Sequence, residues 1–179
     1  ADNFNVVEDA AQAVFNPLTN DSTSDAGETL IIDSVGTSSR GSQISVSTDG
    51  LTVLYRPGLN FAGTEVISYV LEDSRGGSTT GQMTFTVTAV NDAPNAVDDT
   101  ATVQTGVPTT TINVLTNDEN PDTGETLTIT AVTQPPTGRG TIAISSDSRS
   151  QIYTSPSTTF EGTFTFTYTL SDGSSLTDT

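Results

Sequence analysis

The chain has no cysteine, no histidine, no lysine and no tryptophan among its 179 residues. Each absence excludes a class of chemistry. Without Cys and His there is no thiolate or imidazole to hold zinc, copper or haem iron, no Cys nucleophile and no His-based triad. Disulfides are excluded for the same reason, and without Lys so is a lysine–asparagine isopeptide crosslink. Positive charge is scarce, with five arginines against 22 acidic residues and a net charge of −17. An excess of that size opposes compaction by self-repulsion, which a bound cation relieves. It also argues against a nucleic-acid partner, since nothing here would displace counterions from phosphate. Apolar residues make up 32% and aromatics 6%, enough for thin cores only. No run approaches the roughly 20 apolar residues of a membrane span, so direct membrane insertion is not expected. The opening Ala1-Asp2-Asn3-Phe4-Asn5 lacks the regions of a signal peptide, and the chain is expected to be a piece of a longer protein. Hard oxygen ligands are what the composition leaves, and those suit calcium.

What is present is present twice. Leu18-Thr19-Asn20-Asp21 and Gly27-Glu28-Thr29-Leu30 return 97 residues later as Leu115-Thr116-Asn117-Asp118 and Gly124-Glu125-Thr126-Leu127. Phe61-Ala62-Gly63-Thr64, Tyr69 and Asp73 return 99 residues later as Phe160-Glu161-Gly162-Thr163, Tyr168 and Asp172. A period near 100 residues corresponds to one small β-sandwich per copy. The acidic positions repeat with the apolar ones.

Alternation of apolar and polar residues dominates, most strictly in Met83–Thr88 and Thr163–Tyr168, with threonine on the polar face. The pattern predicts strands near 3–8, 13–18, 28–35, 42–47, 51–55, 64–71 and 81–90 in the first copy. In the second it predicts 99–105, 111–116, 126–133, 140–145, 150–154 and 162–170. The fold class is therefore all-β: two tandem antiparallel Ig-like sandwiches, residues 1–93 and 94–179. The strand 82–90 has no counterpart after Asp178, so the second sandwich is expected to lack its last strand; either a boundary cuts through the domain, which is the favoured reading, or a neighbour supplies the strand. The joint Ala89–Asp99 carries one Pro and no Gly/Ser run, which favours a stiff connection.

Lettering the strands A to G sorts the loops to two ends of each sandwich. The upper end of copy one collects Asp2, Asn20, Asp21, Asp25, Glu28, Glu72 and Asp73. That of copy two collects Asp98, Asp99, Asn117, Asp118, Asn120, Asp122, Glu125 and Asp172. The lower end of copy one offers Glu8, Asp9 and Glu65 beside the linker pair Asn91-Asp92. Carboxylates packed this densely repel one another, whereas calcium takes six to eight oxygens and turns the repulsion into attraction. Acidic loops are also what soluble turns rich in Asp and Asn look like.

Val90-Asn91-Asp92-Ala93-Pro94 resembles the interdomain linker of cadherins and of bacterial cadherin-like repeats. The run Val114–Leu127 resembles the signature loop of bacterial cadherin-like and Ig-like tandem repeats of large secreted adhesins, many exported by type 1 secretion. Tyr55-Arg56-Pro57, Phe61–Thr64, Tyr69 and Asp73 continue the pattern, so the resemblance covers both copies. It implies that Glu8 and Glu65 serve as lower-end ligands, Asn91 and Asp92 as linker ligands, and Asn120 and Asp122 as paired ligands of the following domain. Copy two departs from the pattern, with Thr105 and Phe164 opposite Glu8 and Glu65.

Two motifs mislead. Asp122-Thr123-Gly124 matches the aspartic-protease triplet, but that chemistry needs two such Asp residues around a shared proton, and copy one has Asp25-Ala26-Gly27. Asn20-Asp21-Ser22 is a formal glycosylation sequon inside the presumed ion loop. Tyr55, Tyr69, Tyr153 and Tyr168 fall at strand positions and read mostly as core; exposed, they could stack on sugar rings. The leading expectation is a non-enzymatic, calcium-rigidified spacer, stiffened by Ca2+, in a bacterial surface or secreted adhesin of the extracellular, biofilm-forming kind. Its partners would be adjacent repeats. The alternatives are a polysaccharide-binding module and homotypic adhesion with another copy of itself.

Overall fold

The computed structural model describes residues 1–24 and 26–179. The chain divides into two compact units, Ala1–Val90 and Asn91–Thr179, each described here by itself. Both are all-β, with two short 3-10 turns and no α-helix among the described residues.

Unit 1 has strands β1 (Asp2–Val7), β2 (Ala13–Phe15), β3 (Leu30–Val35), β4 (Gln43–Val46), β5 (Val53–Arg56), β6 (Gly63–Asp73) and β7 (Ser78–Thr88). They form a four-stranded sheet in the order β1-β7-β6-β3 and a three-stranded sheet in the order β2-β5-β4. The strict alternation in β7 buries Met83, Phe85 and Val87 and turns the threonines outward. Phe85 stacks on Tyr55 with ring centroids 3.8 Å apart and planes within 7°, and Phe15 meets it edge-on at 5.4 Å. Ile32, Ile67, Tyr69 and Leu71 complete the buried layer.

The strand expected over 13–18 ends at Phe15 and gives way to a 3-10 turn, Pro17–Asn20. Two local causes act together. Pro17 fixes the turn's first φ, and the Asn16 side chain accepts the Leu18 N–H at 2.9 Å. The repeated Leu-Thr-Asn-Asp motif is thus turn chemistry, and its second occurrence likewise begins inside a 3-10 turn, Val114–Thr116.

Unit 2 has β8 (Thr109–Ile112), β9 (Thr128–Val132), β10 (Thr141–Ile144), β11 (Gln151–Thr154), β12 (Tyr168–Ser171) and β13 (Thr177–Asp178). Its sheets run β10-β11-β8 and β13-β12-β9. The pairing Leu170↔Asp178 and Ser171↔Thr177 reproduces Leu71↔Thr79 and Glu72↔Ser78 of unit 1, so β13 is the opening of β7's counterpart.

Two expectations fail here for one reason. No strand forms over 99–105, and the strand expected over 162–170 narrows to Tyr168–Ser171. In unit 1 the whole of β1 pairs with β7, and Gly63–Ile67 of β6 pair with β7 alone. Their counterparts in unit 2 lack a strand between them and form no ladder. Phe164 and Phe166 are accordingly half-buried where Glu65 and Ile67 are buried.

The core of unit 2 holds Val114, Ile129, Ile142, Tyr153 and Leu170, and also Gln151, which is fully buried. Neither amide atom of Gln151 has a hydrogen-bond partner among the described residues. By the repeat, Gln151 stands where unit 1 has the fully buried Val53. An unsatisfied buried amide costs about 1–3 kcal/mol. Gln151→Val is therefore expected to stabilise unit 2 by about that amount, read as a higher midpoint for that unit in thermal or urea unfolding.

Candidate functional site

At the lower end of unit 1, β1 delivers Glu8 beside the end of β7. The Glu8 N–H donates to the Thr88 carbonyl at 2.9 Å, and its Oε2 accepts the Val90 N–H at 3.1 Å. Glu8 is thereby buried, 5% exposed, and fixes the last residue of its unit. Asp9, exposed and with φ at 55°, accepts the Asn60 N–H at 3.3 Å.

Glu65 lies in a different environment. Its Oε2 accepts the Ser38 hydroxyl at 2.6 Å, and its Oε1 accepts the hydroxyls of Ser42 and Tyr55. Ser42 Oγ also accepts the Gly58 N–H at 3.1 Å, so the buried carboxylate ties the loops flanking β4 and β5 to β6. Burial, and then the Glu65 carboxylate, push the Tyr55 hydroxyl well above the usual phenol range. Three hydroxyl donors occupy Glu65, and among the described residues it belongs to no group of three carboxylates able to share an ion. In unit 2, Phe164 takes this place, 5.4 Å from the Tyr153 ring, and the Tyr153 hydroxyl donates to the Arg139 carbonyl instead. Tyr55→Phe removes a donor from a buried charged acceptor and should lower the stability of unit 1 by about 1.5–3 kcal/mol in chemical unfolding.

The upper end of unit 1 separates into two groups. Tyr69 donates to Asp2 Oδ2 at 2.8 Å and lies 2.9 Å from Asp21 Oδ2, with Asp2 buried. Burial first, then those carboxylates, raise the Tyr69 hydroxyl far above its usual range. Glu28 pairs with Arg75 at 3.0 Å, the one ion pair among the described residues, and accepts the Thr23 hydroxyl at 2.9 Å. Asp73 accepts the N–H groups of Arg75 and Gly77 at 2.9 and 2.8 Å, which hold it below the usual carboxylate range. Asp25 lies outside the described residues.

The upper end of unit 2 repeats the first group. Tyr168 Oη is 3.0 Å from Asp99 Oδ2 and 3.1 Å from both carboxylate oxygens of Asp118, while Asp118 Oδ1 accepts the Val97 N–H at 2.7 Å. Desolvation, with the Asp118 and Asp98 charges adding to it, raises Asp99. Asp98 is exposed, and its carbonyl accepts from Asn117 at 3.3 Å.

The second group is built differently in unit 2. The Asn91 amide donates to Asp172 Oδ2 at 2.6 Å, and the Asp92 N–H donates to Asp122 Oδ2 at 2.7 Å. Carboxylate oxygens of Asp92 and Asp122 lie within 4.8 Å of each other. Asn120 Oδ1 accepts the Asp122 N–H at 3.2 Å, and its amide reaches Glu125 Oε2 at 3.3 Å. Asp172 is 1% exposed; burial opposes its ionisation, but the Asn91 amide and the Ser174 and Leu176 N–H groups outweigh that and hold it below the usual carboxylate range. Arg75 of unit 1 is replaced here by Ser174, which donates to Glu125. Three carboxylates beside Asp92, those of Asp122, Glu125 and Asp172, thus share this end with no arginine paired to them among the described residues. The replacement of Arg75 by Ser174 was visible in the sequence at the 99-residue offset; it is the signal that separates the two caps, and aligning the acidic residues alone passes over it.

Paired Ig-like sandwiches with acidic ends define the class. The sequence model of the bacterial Ig domain family matches residues 1–86 and again 91–179, and the chain belongs to that family in two tandem copies. Its fold is that of cadherin ectodomains. The human desmocollin-1 ectodomain is 14% identical with a TM-score of 0.58, covering 98% of this chain and 34% of that one. The protocadherin gamma B2 extracellular cadherin domains 3–6 are 14% identical with a TM-score of 0.54, covering 99% and 44%. The chain thus spans between a third and a half of the length of these structures. No curated protein matches it. No helix among the described residues is long and apolar enough to cross a membrane.

Proposed function

We propose that this chain is a calcium-stiffened spacer repeat of a large extracellular bacterial adhesin, with a mechanical role that uses no catalysis. The observation that carries the reading is the cap of unit 2. There four carboxylates and the amides of Asn91 and Asn120 converge on the segment that leads into the unit, at the place where unit 1 supplies its own cation through Arg75.

The donor set fits the ion. It is all oxygen, rich in carboxylate and free of nitrogen and sulfur ligands, which suits calcium over the transition metals. Asp92, Asp122, Asp172 and Glu125, with Asn91 and Asn120, would hold it. Bound calcium supplies the positive charge that this cap lacks. Asn91 and Asp92 are already hydrogen-bonded to Asp172 and Asp122, so an ion there would lock the leading segment onto its own unit. Glu8 does the corresponding work on the other side of the peptide bond by holding Val90. A linker fixed at both of its ends is stiff without needing a large interface. Asp99 and Asp118 around Tyr168, and Asp2 and Asp21 around Tyr69, form secondary oxygen clusters on the same ends. Glu65, Glu28 and Asp73 are engaged by hydroxyls, by Arg75 and by turn N–H groups, and we leave them out of the ion-binding set.

The polysaccharide reading has less support. Tyr55, Tyr69 and Tyr153 are buried and offer no stacking platform.

Calcium should raise the unfolding midpoint of unit 2 over that in EDTA, by about 2.7 kcal/mol at 100-fold excess over the dissociation constant. Asp122→Asn should remove most of that shift. Ser174→Arg, which grafts the arginine of unit 1, should raise stability in EDTA and blunt the response to calcium. A midpoint indifferent to calcium, with unchanged small-angle scattering, would sink the proposal.

A further inference from the structure

A groove of about 300 Å³ opens on unit 2, lined by Asn113, Leu115, Thr116, Asp147, Arg149 and Ser150. It lies between the 3-10 turn after β8 and the hairpin turn joining β10 to β11. Backbone pairing fixes both walls. The register Gln151↔Ile112, carried one residue further, sets Ser150 against Asn113. The Thr116 hydroxyl donates to the Asn113 carbonyl at 3.2 Å, and the Ser145 N–H donates to the Ser150 carbonyl at 2.9 Å.

Unit 1 builds the same two turns, and the side chains that differ are those of the groove. The Leu51 N–H donates to Asp49 Oδ1 at 3.0 Å, as the Arg149 N–H donates to Asp147 Oδ1 at 3.1 Å, so Arg149 stands where unit 1 has Leu51. The Asn16 side chain is engaged by the Leu18 N–H. Its counterpart Asn113 makes no such cap and is exposed, so its amide keeps both donor and acceptor. The Arg149 guanidinium is also exposed, with no ion pair, hydrogen bond or ring contact among the described residues. Asp147 is the one acid in the lining. Its Oδ1 is engaged by the Ser145 hydroxyl at 2.6 Å and by the Arg149 N–H, which hold it below the usual carboxylate range.

These groups select a ligand. A guanidinium pairs with a carboxylate through two parallel hydrogen bonds. The Asn113 amide, the Ser150 hydroxyl and the Thr116 oxygen match ring hydroxyls, which both donate and accept. Leu115, half-buried, offers apolar surface to the C–H face of a ring. The volume lies at the small end for ligand sites and suits one unit of a sugar chain.

We propose that this groove binds a carboxylated sugar, a uronic acid unit of a polysaccharide, with Arg149 anchoring the carboxylate. The site needs no aromatic platform and no calcium, and it lies within unit 2 alone. At physiological salt, exposed charges farther than about 8 Å are largely screened, so the net charge of −17 does not cancel the local attraction.

Amide NMR of the full chain in EDTA at physiological salt, titrated with tri-galacturonate, tests this. The expected result is saturable shifts at Asn113, Thr116, Arg149 and Ser150, with none at Asn16, Thr19, Leu51 and Thr52 of unit 1. Arg149→Leu installs the residue that unit 1 carries in the same turn, so it should fold, which circular dichroism would verify. It should weaken binding on the order of tenfold. Galactotriose, which lacks the carboxylates, should bind more weakly by a similar factor. The absence of saturable shifts overturns the proposal, as does undiminished binding by Arg149→Leu or of galactotriose. Acetate that matches the sugar at equal carboxylate concentration overturns it by reducing the site to a bare anion contact. Shifts that need calcium and fall at Asp122 and Asp172 overturn it too, by assigning the sugar to the acidic cap.

Discussion

A strand inside a sheet satisfies two neighbours, and β7 is the strand on which this fold turns. It runs antiparallel to β6 along nearly its full length and parallel to β1 along all of that strand. In unit 2 its counterpart opens at Thr177–Asp178. Where β7 is complete, both neighbours are regular and Tyr55, Phe85 and Tyr69 close into one buried layer. Where only its opening residues Thr177–Asp178 stand, one neighbour forms no strand and the other loses its first half.

The second constraint is negative charge with very few cations to answer it. The chain answers it locally, and differently in each copy. Arg75 covers Glu28 in unit 1; in unit 2 the acidic cap faces amides, backbone N–H groups and a serine. Hydrogen bonds from neutral donors soften carboxylate repulsion without cancelling charge, so the second cap keeps more of its negative charge than the first. That cap also holds the first two residues of its unit through Asp172 and Asp122.

Much of this was legible in the sequence. The repeat, the all-β class and the strands of the first copy follow from period-two alternation in segments such as Met83–Thr88. The failure at 99–105 was not legible from the segment itself, because its conformation is decided by a strand about 80 residues away. Glu65 misled for a similar reason. Its acidic character and its place in the chain suggested an ion ligand, but its three hydroxyl partners come from Ser38, Ser42 and Tyr55, which only folding brings together. Asn91 bonds to Asp172 and Asp92 to Asp122; it was the resemblance of Val90–Pro94 to a cadherin-type linker, and not spacing, that pointed to Asn91 and Asp92. The Asn-Pro chemistry of the 3-10 turn at residue 17 was legible too, though alternation at 13–18 masked it.

Arg40 lies over the Phe61 ring at 5.8 Å, and Arg139 lies over Phe160 at 5.4 Å, the same clasp at the same place in each copy. With Arg75 held by Glu28, three of the five positive side chains are turned to packing within their own unit. What the outside meets is therefore an almost uniformly anionic coat. Such a polypeptide behaves as a polyelectrolyte: it gathers a cloud of small cations, it is pushed away from surfaces of its own sign, and it resists clumping when many copies crowd together. The arginine clasps and the Arg75–Glu28 pair leave that coat little changed, because each spends its positive charge on a neighbour in its own unit.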